Sequence, residues 1–78
     1  MSKFTDTERE ILESIAYAYA EDPSPESGRT YCEGEDEYEA AQGLLKRGLL
    51  REVESGHYNI GNKWVHFGLT DAGFEAVE

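Results

Sequence analysis

A chain of 78 residues has room for one hydrophobic core, so residues 1–78 are predicted to form a single small domain. Hydrophobic residues make up 38% of the chain and aromatic residues 12%, which excludes global disorder in spite of a net charge of −10. No apolar run approaches the roughly 20 residues that span a bilayer, so no membrane association is expected.

The N-terminal residues and the cysteine content indicate the cellular compartment of the protein. Residues 1–6 lack the apolar core of a signal peptide, and Cys32 is the only cysteine, so no internal disulfide can form. Both features predict a cytoplasmic, reducing setting. A core of this size is only marginally stable, and self-association into a homodimer is one way to add stability.

The charge is distributed unevenly along the chain. Residues 1–39 carry twelve acidic residues against three basic ones, whereas residues 40–78 carry five acidic residues against four. Solubility is one sufficient reason for a high net charge. A halophile's acidic surface is another, although it would not explain the asymmetry. The third interpretation is an acidic surface that binds something basic.

The first half of the chain predicts a helix, a loop and a second helix. Thr5 and Glu8 have the spacing of a capping box, and apolar residues recur at helical spacing over residues 6–21. Residues 22–35 are rich in proline, serine and glycine and predict a loop, within which residues 29–32 favour a short strand. Asp36 is predicted to cap a helix over residues 36–47. Gly43 costs this helix about 1 kcal/mol relative to alanine, which indicates either close helix packing or a weaker helix prediction.

The second half predicts a β-hairpin and a final helix. Strands are predicted over residues 49–54 and 63–69, with Ser55-Gly56 and Gly61-Asn62 as candidate two-residue turns. Residues 57–60 are either a middle strand or an irregular tip. Thr70 is predicted to cap a helix over residues 71–77, which closes the core against the first helix.

Two segments carry a resemblance to a known family. They are Leu44-Leu45-Lys46-Arg47-Gly48-Leu49-Leu50-Arg51 and Leu69-Thr70-Asp71-Ala72-Gly73. In their order and spacing they resemble winged-helix domains, in particular bacterial regulators of the MarR and PadR type, in which a recognition helix runs through an Arg-Gly-Leu turn into a wing. The resemblance is good over residues 41–52 and 65–78 and weaker over residues 5–20. It implies a small α+β domain of about three helices with a two- or three-stranded antiparallel wing, and DNA-binding regulation.

The chain departs from this family in two ways. The family has two helices between the first helix and the glycine turn, whereas residues 22–47 have room for one, so the middle helix is expected to be missing or reduced to a turn. The front of the would-be recognition helix is also acidic. Carboxylates there would repel phosphates, whose neutralisation by Lys and Arg supplies most of the affinity for DNA. The family's function therefore does not follow from its fold.

The acidic run is the first candidate site. It comprises Glu33, Glu35, Asp36, Glu37 and Glu39, and it could be extended by Glu8, Glu10, Glu13, Glu21, Asp22 and Glu26. One interpretation is a solvated helix start, where carboxylates suit the helix dipole. The other is a docking surface for a basic protein that imitates the charge density of nucleic acid. Trp64 either covers the sheet or is the hydrophobic anchor of such an interface.

The basic and aromatic residues form the alternative site. They are Lys46, Arg47, Arg51, Tyr58 and Lys63, which would contact DNA if the chain were a regulator. No catalytic residue is predicted, because Cys32 with His57 or His66 matches no nucleophile signature. One cysteine and two histidines without paired spacing do not supply the four ligands of a structural zinc, and no glycine loop for phosphate is present, so no metal or cofactor is expected.

These observations favour a non-enzymatic, winged-helix-like module that binds a protein with a basic surface. In size and acidity it is similar to phage-encoded inhibitors such as DNA mimics and anti-CRISPR proteins. The favoured partner is a nucleic-acid-handling protein whose basic groove the module would occupy. The alternative is a winged-helix transcriptional regulator that contacts DNA through the wing.

Overall fold

The structure is a computed structural model and describes residues 3–58 and 61–77. These residues form α1 (Asp6–Glu21), β1 (Arg29–Cys32), α2 (Asp36–Lys46), β2 (Leu50–His57), β3 (Lys63–Leu69) and α3 (Asp71–Ala76). The strands make one antiparallel sheet in the order β1-β3-β2. The predicted small α+β fold is therefore confirmed. The short strand predicted over residues 29–32 is β1, and it makes the sheet three-stranded. Between α1 and α2 the chain has only a loop, β1 and a turn.

The core lies between the helices and one face of the sheet. Val65 and Phe67 of β3 are fully buried, whereas Trp64 and His66 point to the other face, because successive side chains of a strand alternate between its two faces. Tyr31 of β1 packs beside Phe67 with the ring centroids 6.2 Å apart. The remaining buried apolar residues are Ile11, Leu12, Ile15, Ala41, Leu44, Leu50 and Leu69.

The helix ends agree with the sequence except at one cap. Thr5 and Glu8 form the predicted capping box. The Thr5 backbone nitrogen lies 2.8 Å from the Glu8 carboxylate oxygen, and the Glu8 backbone nitrogen lies 3.1 Å from the Thr5 hydroxyl oxygen. Asp36 was predicted to cap α2, and this is wrong, because Glu35 holds the N-cap position and makes no side-chain capping bond. The Glu35 carboxylate instead accepts a hydrogen bond from the Cys32 N–H at 2.7 Å, which closes the turn between β1 and α2.

The predicted turn at Ser55-Gly56 is also wrong, because both residues belong to β2. They pair with Val65 and Trp64 of β3, and a Cβ added to Gly56 would lie 2.8 Å from the Trp64 ring. Gly56 thus makes room for the indole rather than for a turn. The chain reverses later, where the Tyr58 N–H donates to the Asn62 carbonyl at 2.8 Å.

Two further boundaries differ by small amounts. The strand predicted over residues 49–54 begins at Leu50 and continues to His57, and Asn59 and Ile60 of the predicted 57–60 segment lie outside the described residues. Gly61-Asn62 lies in the connection between β2 and β3, with a φ of 98° at Gly61, but the predicted two-residue turn is wrong, because the connection runs from residue 58 to residue 62. α3 begins after its predicted cap, Thr70, whose side chain accepts a hydrogen bond from a backbone N–H of the first turn.

The prediction that α3 closes the core against α1 is confirmed. Phe74 of α3 meets Tyr19 of α1 edge to face, with the ring centroids 5.0 Å apart. Edge-to-face aromatic pairs contribute about 0.5–1.5 kcal/mol of stabilisation beyond that from the apolar area they bury. The contact joins the last helix to the first and completes the core.

Gly28 and Gly43 are expected to respond oppositely to alanine. A Cβ at Gly28 would overlap the backbone carbonyl of Phe67, whereas a Cβ at Gly43 would meet no described atom within 4 Å outside the backbone of α2. Gly28→Ala should therefore lower the free energy of unfolding by about 1–3 kcal/mol. Gly43→Ala should raise it by roughly 0.5–1 kcal/mol, because alanine favours a helix.

Denaturant unfolding of both variants beside the unchanged protein measures these two effects. Close helix packing was one of the two interpretations of Gly43 from the sequence, and the open space around its Cβ position argues against it. Destabilisation of the fold by Gly43→Ala would support close packing after all. Equal stability of Gly28→Ala and the unchanged protein would contradict the tight approach of the loop to β3.

Candidate protein-docking site

Acidic residues from two helices line one groove beside β1. The groove has a volume of about 250 Å³ and lies between the first half of α1, β1 and the start of α2. Glu10 comes from α1, whereas Glu35 and Glu37 come from the start of α2. We call this the α-side groove, and its other lining residues are Thr7, Ile11, Ser14, Thr30 and Tyr31. Carboxylates that are distant in sequence thus border one concave surface.

The Tyr31 phenol reports the electrostatics of the α-side groove. Partial burial raises the pKa of Tyr31 above its ordinary value of 10.0, and the charges of Glu37, Glu10 and Glu35 raise it further. The Arg29 guanidinium acts in the opposite direction. A nearby negative charge disfavours the phenolate and a nearby positive charge favours it. The effects of the three carboxylates indicate that they lie close to the phenol, where the largest single charge effect is that of Arg29.

The predicted acidic residues have different local roles. Asp36, Glu37 and Glu39 are exposed in the first turn of α2, where they also suit the helix dipole. Glu35 is tied to the turn through the Cys32 N–H. The Glu33 backbone N–H donates to the Lys63 carbonyl at 2.7 Å, and its carboxylate lies 3.5 Å from the Lys63 backbone nitrogen. Of the three carboxylates that line the α-side groove, those of Glu10 and Glu37 are therefore more available to a partner than that of Glu35.

Two of the predicted basic residues near the end of α2 are engaged within the chain. The Arg47 guanidinium lies 3.6 Å from the Glu8 carboxylate and 4.7 Å from the centre of the Phe4 ring. The Arg51 guanidinium donates a hydrogen bond to the Pro25 carbonyl. Lys46 is exposed in the last turn of α2. Two of the four cations predicted to contact DNA thus have structural partners.

The other residues predicted for DNA lie at the opposite end of β2, whose eight residues span roughly 26 Å. Tyr58 follows β2 and Lys63 begins β3, beside Glu33 and Glu35 rather than beside Lys46. A hydrogen bond with Cys32, at 3.4 Å between sulfur and oxygen, raises the pKa of Tyr58, and the Glu35 charge contributes in the same direction. The structure therefore does not bring the predicted basic and aromatic residues into one patch.

Trp64 lies on the other face of the sheet, apart from the acidic turn of α2. It lines a second groove of about 630 Å³, the sheet-side groove, whose other lining residues are Glu26, Thr30, Val53, Glu54 and His66. His66 holds this groove together, because its Nε2 donates to the Glu26 carbonyl at 2.8 Å and its Nδ1 lies 2.7 Å from the Thr30 hydroxyl oxygen. Trp64 is half-buried and covers Gly56.

Sequence reasoning missed some residues of both grooves. Glu10 and Glu26 were predicted to extend the acidic surface, but Tyr31, Thr30 and Glu54 were not singled out. The available signal was the alternation in residues 29–32, which places Tyr31 on the core face once the segment is a strand. The pairing of β1 with β3, which sequence alone did not contain, brings Thr30 opposite His66.

Comparison of the chain with protein-family models, with curated proteins and with solved structures returned no match. Within residues 3–58 and 61–77, no helix is long and apolar enough to cross a membrane. The same residues contain no group of three or more His, Cys, Asp or Glu side chains placed to hold a metal ion.

The acidic character of the α-side groove can be measured through Tyr31. Glu37→Gln should lower the pKa of Tyr31, because a neutral amide no longer disfavours the phenolate, and Arg29→Ala should raise it. Titration of the ring carbon chemical shifts by NMR measures both changes. Glu21→Gln, at the far end of α1, is the matched control and should have no effect. An unchanged pKa in Glu37→Gln would contradict the described placement of Glu37.

Proposed function

We propose that this protein is a non-catalytic acidic interaction module that binds a protein partner, with the α-side groove as its main docking surface. The observation that carries the proposal is the convergence of Glu10, Glu35 and Glu37 on the half-buried phenol of Tyr31. Complementary charges steer association and select partners, and an aromatic group at the centre of a groove adds contact area. A basic side chain is the complement of this surface.

The partner we favour is a protein that handles nucleic acid through a basic groove. The exposed carboxylates at the start of α2 and along α1 would then stand in for phosphates, and the module would act as an inhibitor by occupying that groove. The proposed site of action is the cytoplasm. Attraction between exposed charges is screened by salt, so binding should weaken as ionic strength rises.

The alternative is a winged-helix regulator that binds DNA. The element order and the glycine turn that leads from α2 into β2 support a reduced winged helix. The charges argue against DNA as its ligand, because Arg47 and Arg51 have partners within the chain and the Glu33 carboxylate lies beside the backbone of Lys63, where it would repel a phosphate. We therefore propose kinship with winged-helix domains in fold, and a protein rather than DNA as the partner.

Charge reversal in the α-side groove tests the proposed function. The double variant Glu10→Lys/Glu37→Lys replaces two exposed carboxylates with cations. It leaves the hydrogen bond between the Glu35 carboxylate and the Cys32 N–H intact, so the variant should fold as the unchanged protein does. Affinity capture from a lysate of the source cells over a salt series should yield a basic protein with the unchanged chain. The double variant should weaken its binding by about tenfold or more, since removing favourable charge pairs costs roughly 1.4 kcal/mol or more.

Glu21→Lys/Glu75→Lys is the matched control, because it changes the net charge equally at two exposed positions outside both grooves. It should capture the same protein as the unchanged chain. A DNA shift assay at low and moderate salt runs in parallel, with Lys63→Glu as the variant that a DNA-binding wing would not tolerate. DNA binding at moderate salt, lost in Lys63→Glu and without capture of a protein, would overturn the proposed function in favour of the regulator.

A further inference from the structure

β1 is an edge strand, and the hydrogen bonds around it show which of its backbone groups point away from the sheet. The Glu33 N–H donates to the Lys63 carbonyl, so this pair belongs to the hydrogen-bonded positions of the antiparallel ladder. Such positions alternate along a strand, which places the backbone groups of Tyr31 and Arg29 toward β3. Cys32 faces outward, in agreement with its N–H bond to the Glu35 carboxylate.

Thr30 therefore presents its backbone N–H and C=O away from β3, at the open side of the strand. It is exposed, and its side chain is held on the sheet face by the contact with His66. Outward-facing backbone groups on an edge strand are a template for pairing with another extended chain. The Cys32 N–H already has the Glu35 carboxylate as its acceptor, so Thr30 is the centre of the available edge.

The two grooves meet at this residue. Thr30 lines both the α-side groove, with Glu10, Glu35 and Glu37, and the sheet-side groove, with Glu26 and Glu54. Successive side chains of a strand point to opposite faces, so a chain laid along β1 would send alternate side chains toward the two grooves. Carboxylates border both of them, and the complementary side chains on either face are cations.

We propose that an extended basic segment of the protein partner adds to the sheet beside β1, with backbone hydrogen bonds to Thr30 and basic side chains in the two grooves. This inference rests on the proposed function and gives it a binding mode, in which backbone bonds supply affinity and the grooves supply specificity. The outer edge of β2 is a poorer template, because a bulge between Glu52 and Glu54 interrupts its ladder.

A second copy of this chain is a poorer occupant of the β1 edge than a basic segment. Pairing β1 with β1 would bring the same carboxylates of both copies together in a protein whose net charge is −10. Like charges across an interface cost several kcal/mol. Nucleic acid is disfavoured for the same reason, because its phosphates would face the carboxylates of both grooves.

Two substitutions at one position separate backbone pairing from side-chain effects. Thr30→Pro removes the outward N–H, and proline is tolerated on an edge strand when that N–H faces solvent. Thr30→Val keeps the N–H and the branched shape and removes only the hydroxyl contact with His66. Circular dichroism and thermal unfolding establish that both variants remain folded.

The probe is a fluorescent, end-capped peptide of alternating lysine and valine, measured by anisotropy at low salt. A second peptide of the same sequence carries N-methyl groups on alternate residues, so that it keeps the charge but loses the backbone donors on one edge. Both methylation registers are tested, so that one of them blocks the edge that faces β1. This comparison uses the unchanged protein and decides the question even where Thr30→Pro fails to fold.

Strand addition predicts that Thr30→Pro lowers the affinity for the peptide about fivefold, which corresponds to the roughly 1 kcal/mol that a typical hydrogen bond contributes. Thr30→Val should bind the peptide as tightly as the unchanged protein does. One of the two N-methylated peptides should bind the unchanged protein as weakly as the unmethylated peptide binds Thr30→Pro. Equal affinity of a folded Thr30→Pro and the unchanged protein, or of all three peptides, would overturn strand addition.

The charge-reversed Glu10→Lys/Glu37→Lys protein distinguishes this failure from failure of the proposed function. If it loses the peptide while Thr30→Pro does not, the acidic groove binds cations without strand addition. If Thr30→Pro loses the peptide while the charge-reversed protein does not, the edge pairs with chains irrespective of the groove. No binding of any of the three peptides to the unchanged protein would overturn strand addition, while the capture experiment decides the proposed function independently.

Discussion

The turn at Gly48 and Leu49 is the constraint on which the rest of the structure depends. Gly48 has a φ of 79°, and the N–H groups of Gly48 and Leu49 donate to carbonyls of the last turn of α2 at 3.0 Å each, which ends the helix in a Schellman motif. Thr70 binds the same turn from α3, with its hydroxyl donating to the Gly48 carbonyl at 2.6 Å and its N–H to the Leu49 carbonyl at 3.2 Å. One short turn thus fixes the end of α2, the start of β2 and the start of α3.

This turn also decides where the charges lie. With its C-terminal end anchored, α2 crosses α1 so that its acidic first turn lies beside Glu10, and both flank Tyr31. The helix dipole favours acids at the start of α2 and cations at its end. Arg47 at that end is then paired with Glu8 and stacked on Phe4, while its side chain stays partly exposed. The fold therefore brings carboxylates of α1 and of the start of α2 together beside β1.

The edge of the sheet and the acidic surface are parts of one arrangement. β1 is short, one end of it is closed by the Glu35 carboxylate, and the loop before it approaches β3 so closely at Gly28 that no side chain fits. His66 fastens the same loop to the sheet through the Glu26 carbonyl. What remains open is the backbone of Thr30, between two grooves bordered by carboxylates. The proposed protein partner and the proposed strand addition both follow from this geometry.

Local signals in the sequence determined the helices, the Gly48 turn and the buried face of β3. Capping residues, glycine conformations and apolar periods act within a few residues, so Thr5, Gly48 and Phe67 could be placed from the sequence alone. The same signals misplaced the turn at Ser55-Gly56, because the reason for Gly56 is the Trp64 ring on the neighbouring strand. The local signals also predicted that Trp64 and the acidic residues of α2 belong to one interface, whereas Trp64 lies on the other face of the sheet.

Only the tertiary structure decided which charges meet and which cancel. Net charge and its asymmetry were properties of the sequence, but the pairing of Arg47 with Glu8, the bond from Arg51 to Pro25 and the convergence of Glu10 with Glu37 join residues far apart in the chain. Such contacts depend on how helices and strands pack, and a sequence pattern with a period of a few residues does not encode them. The acidic composition was therefore evident from the sequence, and the groove that its carboxylates border was evident only from the fold.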